Sequence, residues 1–138
     1  MRRIIRSIVL CTVIFAGFQL GAAAQEMTAE EKKAEKEFYE SVEKEVDRLT
    51  HLLKLEDWQV FYVDSILTHD YKAMQAELKV LQDQKVSNVD MYYDIQYKWQ
   101  DQIYEAYHKY FDETQWAKYL KSGAERDKKN RDKKRAKK

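Results

Sequence analysis

The stretch that decides the fold runs from Leu55 to Leu120 and reads LEDWQVFYVDSILTHDYKAMQAELKVLQDQKVSNVDMYYDIQYKWQDQIYEAYHKYFDETQWAKYL. It contains no proline and no glycine, and apolar side chains recur in it every three or four positions. That period places apolar side chains along one face of an α-helix. We therefore predict an all-α protein built on a long antiparallel helical hairpin, with a leading helix before it and a short closing helix after it.

Two helix starts in this stretch share one pattern, an apolar residue followed four positions later by glutamine. In the first, Leu55 precedes Glu56 as the N-cap residue, and Gln59 stands where its side chain can bond back to the N-cap N–H group. Leu55 is also spaced to pack on Val60 as a hydrophobic staple. Because glutamate is a poor N-cap residue, one helix continuous through residues 54–56 is an alternative.

The second helix start has better capping residues. Asp112 is a strong N-cap residue, Gln115 stands three positions later, and Phe111 and Trp116 have the spacing of a staple. Gly123 suits the position just past the end of a helix, so we expect the closing helix to end there.

A leading helix is predicted from Thr28, which forms a capping-box pattern with Glu31. Apolar residues then follow at steps of three and four, which predicts one buried face. These residues are Phe38, Val42, Val46, Leu49 and Leu53.

Each helix of the hairpin has its own stripe. The first is predicted to run to about Lys85, and the second to begin at a Ser87–Asp90 signal and run to Phe111. The first stripe is close to a heptad seam and comprises Val60, Val63, Leu67, Tyr71, Met74, Leu78 and Leu81. The second stripe comprises Tyr92, Gln96, Trp99, Ile103, Ala106 and Tyr110. A short chain spread over long helices buries little surface, so we expect a homodimer through the 60–81 stripe.

Residues 1–24 have the pattern of a signal peptide. Three arginines lie within the first six residues, a short apolar run covers residues 8–18, and three alanines end at Ala24. The apolar run is shorter than the roughly 20 residues of a membrane-spanning helix. We predict cleavage between Ala24 and Gln25 and a periplasmic location. Cys11 is then removed, which leaves no disulfide chemistry.

Charge is distributed unevenly after residue 24. Residues 121–138 contain ten Lys/Arg and three Asp/Glu, a local charge of +7, and residues 25–120 carry −9. We predict a helical domain at 25–121 and a basic tail at 122–138 that is disordered or a frayed helix. The tail is a candidate to bind an anionic envelope surface, although it could serve only for solubility. It lacks interleaved aromatic residues, so we predict no nucleic-acid binding.

Tyrosines concentrate in the second hairpin helix, where six of the ten lie between residues 92 and 110. Tyrosine offers a large contact area with a polar tip, which suits a binding surface. The candidates for binding client polypeptides lie beside the main stripe and are Tyr93, Tyr97, Tyr104 and Tyr107. The alternative is that these rings pack the hairpin or a dimer seam.

Residue patterns for catalysis or metal binding are not found. Glu105 and His108 form a single Glu-x-x-His, whereas a di-iron bundle needs two. The other histidines, His51 and His69, are scattered, and zinc needs converging ligands. There is no glycine-rich phosphate loop and no Gly-x-Ser-x-Gly sequence. We predict that the protein is not an enzyme and holds no metal or cofactor.

The two glutamine-containing helix starts, in a small exported helical chain, resemble the periplasmic LTxxQ-motif family of Spy- and CpxP-like stress proteins. The likeness covers residues 49–121, with Leu55–Gln59 and Phe111–Gln115 as the two motifs and Glu56 and Asp112 in place of threonine. It implies a bent helical hairpin that dimerises into a thin cradle and holds unfolded proteins without ATP.

These observations predict a non-enzymatic periplasmic chaperone-like or envelope-stress protein. It would bind unfolded or partner polypeptides through an aromatic helical face. The alternative is a structural or adaptor subunit that docks one fixed protein or membrane partner.

Overall fold

The computed structural model describes residues 27–137, which are helical apart from short turns. The helices are α1 (Ala29–Leu53), α2 (Asp57–Asp83), α3 (Val89–Tyr110), α4 (Glu113–Tyr119) and α5 (Glu125–Arg135), and a π-helical turn at Leu120–Ala124 joins the last two. The predicted all-α class is confirmed. The predicted signal peptide and its cleavage site lie outside the described residues. In the described range, no helix is both long and apolar enough to span a membrane.

A chain reversal separates α1 from α2, so the continuous helix considered above does not form. Lys54 adopts a left-handed conformation with φ of 56°, and the Leu55 N–H donates to the Thr50 carbonyl at 3.3 Å. This bond defines a Schellman cap, in which glycine usually takes the left-handed position. Leu55 is buried, and it both closes α1 and precedes the N-cap residue of α2.

The turn after α2 repeats this geometry. Lys85 has φ of 54°, and the Val86 N–H donates to the Leu81 carbonyl at 3.0 Å. The next helix starts one residue later than predicted, because Asn88 and not Ser87 is the N-cap residue. The Asn88 side chain accepts the Asp90 N–H at 3.0 Å.

Helices α2 and α3 pair in antiparallel order. Lys98 bonds Glu77 at 2.5 Å, and the Gln102 amide donates to Asp70 at 3.1 Å. Nearer the start of α2, the Gln59 amide donates to the carbonyl of Tyr110 at the end of α3. Residue numbers thus rise along α2 as they fall along α3.

The hydrophobic core combines α1, α2 and α3. The predicted α1 stripe is buried from Val42 onward, and Phe38 packs partly against it. The core residues are Val42, Val46, Leu49, Leu53, Leu55, Val63, Leu67, Ile103, Tyr107 and Phe111. Val63 and Leu67 belong to the stripe that we expected to join two copies, yet a single chain already buries them. The homodimer stays a prediction, but the need to cover this stripe no longer supports it.

The C-terminal segment is helical, which agrees with the second of the two alternatives given for the basic tail and not with disorder. Residues 125–135 form α5, and Arg131 in this helix is buried. Gly123 has φ of +121°, a conformation that glycine adopts at low cost. We expected the last helix to end at this glycine, but another helix follows it. Arg131 and Arg135 of this helix pair with Asp101 of α3. Within the helix, Lys128 pairs with Asp132 and Lys129 with Glu125.

Candidate functional site

The two predicted helix starts form as capped ends. The Gln59 side-chain oxygen accepts the Glu56 N–H at 3.0 Å, and the Glu56 carboxylate accepts the Trp58 indole N–H at 2.7 Å. At the second start, Asp112 accepts the Gln115 N–H at 2.7 Å. The Gln115 side-chain oxygen accepts the Asp112 N–H at 3.0 Å in return. The predicted N-cap positions of α2 and α4 are therefore confirmed.

The two glutamines also bond to each other. The Gln59 Nε2 group donates to Gln115 Oε1 at 2.7 Å, and the Gln115 Nε2 group donates to Gln59 Oε1 at 2.9 Å. The Gln59 amide donates in addition to the Tyr110 carbonyl at 2.9 Å. Both side chains are buried, with 3% and 6% of their surface exposed. Because a buried amide needs partners, this reciprocal pair joins the start of α2 to the α3–α4 corner.

Capping-box spacing did not predict this pairing, since it describes each helix start separately. The available signal was the repetition itself: both boxes end in glutamine, where glutamate would also close the box. Two glutamates could not form the reciprocal bonds, because ionised carboxylates only accept hydrogen bonds.

An aromatic patch lies on α2 directly beside this joint. Trp58, Phe61 and Tyr62 are 50%, 67% and 40% exposed, and we call these three residues the α2 aromatic patch. Tyr62 contacts the other two rings at centroid distances of 6.2 and 5.7 Å. It also stacks on Tyr110 at 4.5 Å. The patch is thus held on α3 through Tyr110, the residue whose carbonyl binds Gln59.

The four tyrosines predicted as client-binding residues do not form one exposed surface. Tyr107 is 2% exposed and Tyr97 is 8% exposed, whereas Tyr93 is 44% exposed. Tyr104 is partly buried and packs against Trp116 at 4.9 Å. The burial of Tyr97 and Tyr107 agrees with the alternative given above, that these rings pack within the fold. The reason is that α3 is covered on a second side, whereas the predicted stripe described only one buried side of this helix.

The second side of α3 is a tyrosine cluster. Tyr107 packs against Tyr119 at 5.5 Å and Phe111 at 5.0 Å. Burial raises the pKa of Tyr107 well above its ordinary value and raises the pKa of Tyr119 to about 12. Burial also raises the pKa of Tyr71. These hydroxyls stay protonated near neutral pH, so the cluster supplies packing and hydrogen-bonding groups and no phenolate.

The histidines have separate environments. His69 pairs with Asp70 at 2.7 Å, His108 stacks on Trp116 at 4.4 Å, and His51 is exposed. Within residues 27–137, no three His, Cys, Asp or Glu side chains are grouped as a metal site.

Comparisons with protein-family models, with curated proteins and with solved structures return no significant match. Any relation to the LTxxQ-motif family therefore depends on the two motifs.

Proposed function

We propose that this protein is an exported, non-enzymatic chaperone-like protein that binds exposed apolar segments of other polypeptides. The observation that supports this most directly is the α2 aromatic patch. Three adjacent large rings stay exposed on a helix whose other side belongs to the core. Clustered apolar surface on a soluble protein marks an interaction site more often than isolated exposed residues do.

The size of the patch favours transient over permanent binding. From the exposed fractions, the three rings present on the order of 300 Å². Burying that area gives about 7 kcal/mol before the cost of association, which is of similar size. A permanent protein partner needs an interface of roughly 600 Å² or more on each side. The patch alone therefore suits weak, reversible binding of unfolded segments better than the fixed docking of an adaptor.

The reciprocal glutamine pair supports the family part of the proposal. It gives both motifs one structural purpose, which is to join two helix starts and to hold the aromatic patch on a rigid base. Membership of the LTxxQ-motif family, a periplasmic location and a homodimer belong to the proposal. Binding of an anionic envelope surface by the basic segment stays a prediction.

An aggregation assay tests the proposed function. The protein is added at near-stoichiometric ratio to several unrelated unfolded proteins, and light scattering is followed. We expect broad suppression by the wild type and about a tenfold loss of potency in a Trp58→Ser/Phe61→Ser variant, because the variant loses most of the exposed ring area. The control is Val80→Ser, which removes an exposed apolar residue elsewhere on α2.

Indifference to every client would contradict the chaperone and favour the adaptor. Unchanged potency of the double variant would reject the patch as the binding surface. Circular dichroism of each variant should match the wild type, since the replaced side chains are largely exposed. Sedimentation at micromolar concentration tests the homodimer separately.

A further inference from the structure

Helix α5 lies on α3 through one carboxylate and two rings. Arg131 Nε donates to Asp101 Oδ1 at 2.9 Å, and Arg135 bonds the second oxygen of the same carboxylate. The Lys134 ammonium lies 5.4 and 5.7 Å from the ring centroids of Tyr93 and Tyr97. We call Tyr93, Tyr97, Asp101 and Tyr104 the tail-covered face.

The attachment of α5 lacks apolar burial. Its sequence, ERDKKNRDKKR, contains no apolar side chain, so ion pairs and cation–π contacts hold it in place. The Arg131 and Asp101 side chains are 11% and 18% exposed, whereas Arg135 and Lys134 lie nearer the surface. Contacts near the surface are individually weak and are screened by salt. Gly123 precedes the helix with its positive φ and offers a backbone position about which α5 can swing.

The fit between α5 and the rings beneath it is incomplete. A cavity of about 120 Å³ lies at the edge of α5, and its lining includes Arg131 of α5, Tyr104 and Tyr107 of α3, and Glu45 and Tyr71 of α1 and α2. The Tyr107 hydroxyl is buried and makes no hydrogen bond to any residue in the described range. Buried hydroxyls nearly always have a partner. Because α5 places no apolar side chain over the rings, a segment with apolar side chains would bury more of the ring surface than α5 does.

We propose that the tail-covered face is a binding site for a basic amphipathic helix of another polypeptide, and that α5 occupies it as a displaceable substitute. Asp101 provides the anchor for a basic residue, and the tyrosine rings provide the apolar floor that α5 leaves underused. The charge of −9 over residues 25–120 also attracts a basic segment. This site goes beyond the proposed function, because it uses a different surface from the α2 aromatic patch.

A labelled synthetic peptide tests the site. The probe is an 18-residue peptide of leucine and lysine with all leucines on one helical face, and its control has the same composition in scrambled order. Fluorescence anisotropy measures binding to the purified protein, and hydrogen exchange measures protection of residues 125–135. We expect the probe to bind the wild type and to accelerate exchange in α5, whereas the scrambled peptide has little effect.

Two variants test the competition. Arg131→Gln/Arg135→Gln releases α5 and leaves the face intact, so the probe should bind at least about tenfold tighter, since apparent affinity rises with the fraction of open protein. Adding Asp101→Asn to the arginine variant should reverse this gain in affinity, because it removes the carboxylate that would bind a basic residue of the probe. Asp64→Asn, which neutralises an exposed carboxylate on α2, should behave like the wild type.

Three results from the two peptides and the arginine variant would overturn the site. They are equal binding by the wild type and the arginine variant, peptide binding that leaves α5 protected, and equal displacement by the scrambled peptide. The Trp58→Ser/Phe61→Ser variant should keep its affinity for the probe. Loss of binding there would place the peptide on the α2 aromatic patch, which rejects the tail-covered face but leaves the proposed function standing.

Discussion

Replacing Gln59 and Gln115 by leucine, singly and together, tests whether the amide pair acts as one unit. Gln115→Leu removes both reciprocal bonds and the bond to the Asp112 N–H. At about 1 kcal/mol for each lost bond, we expect a loss of about 3 kcal/mol in the free energy of unfolding. Gln59→Leu also loses the contacts with Glu56 and Tyr110, so it should cost about 4 kcal/mol.

The double variant should lose less free energy of unfolding than the sum of the losses in the two single variants. The two reciprocal bonds are lost in either single variant, so the sum counts them twice. Two leucines also leave no half-paired buried amide. We expect a coupling energy of about 2 kcal/mol and a total loss of about 5 kcal/mol. Urea unfolding followed by circular dichroism at 222 nm measures each value.

Gln75→Leu is the matched control, because Gln75 is exposed on α2, and it should change stability by less than about 0.5 kcal/mol. Losses that add to within about 0.5 kcal/mol would refute the reasoning, because residues that share hydrogen bonds cannot act independently. A loss below about 1 kcal/mol for Gln115→Leu would have the same meaning.

Three further predictions concern backbone strain, a buried hydroxyl and alkaline pH. Lys54→Gly and Lys85→Gly should each raise stability by about 0.5–1 kcal/mol in urea unfolding, because glycine relieves the left-handed strain. Lys79→Gly, inside α2 where the backbone is helical, should lower stability by about 1 kcal/mol. Tyr107→Phe should keep or raise the thermal midpoint, because it removes a buried hydroxyl that has no hydrogen-bond partner among residues 27–137. A clear drop would show that the hydroxyl is bonded. The raised pKa of Tyr119 means that the folded state favours the protonated phenol. The contribution of this phenol to stability is complete below pH 10 and is lost as pH rises toward about 12. Tyr119→Phe should reduce that loss in thermal unfolding measured from about pH 9 to about pH 12.

Local rules predicted the helix boundaries well, and the reasons are visible at particular residues. The capping boxes at residues 56–59 and 112–115 depend on neighbours within four positions, so sequence spacing contains all that they need. The same holds for the α1 stripe. The patterns failed on α3, where Tyr97 and Tyr107 are buried outside the stripe that faces α2. A helix packed on two sides does not have one apolar face.

The candidate site could be predicted only in part. Aromatic residues were expected to form the binding surface, but the prediction chose the tyrosines of α3 and overlooked Trp58 and Phe61 on α2. Exposure decides which rings are available, and exposure depends on what lies opposite each ring. No pattern within α3 reveals that α1 and α4 residues cover Tyr107.

The sequence by itself determined that the chain is helical and where α2 and α4 begin, because periodicity and capping act over a few residues. Only the tertiary structure decided three other features: the bonding of Gln59 to Gln115, the burial of Tyr107 and the docking of α5 on Asp101. Each of these depends on residues far apart in the chain, and such contacts become defined only when the helices pack together.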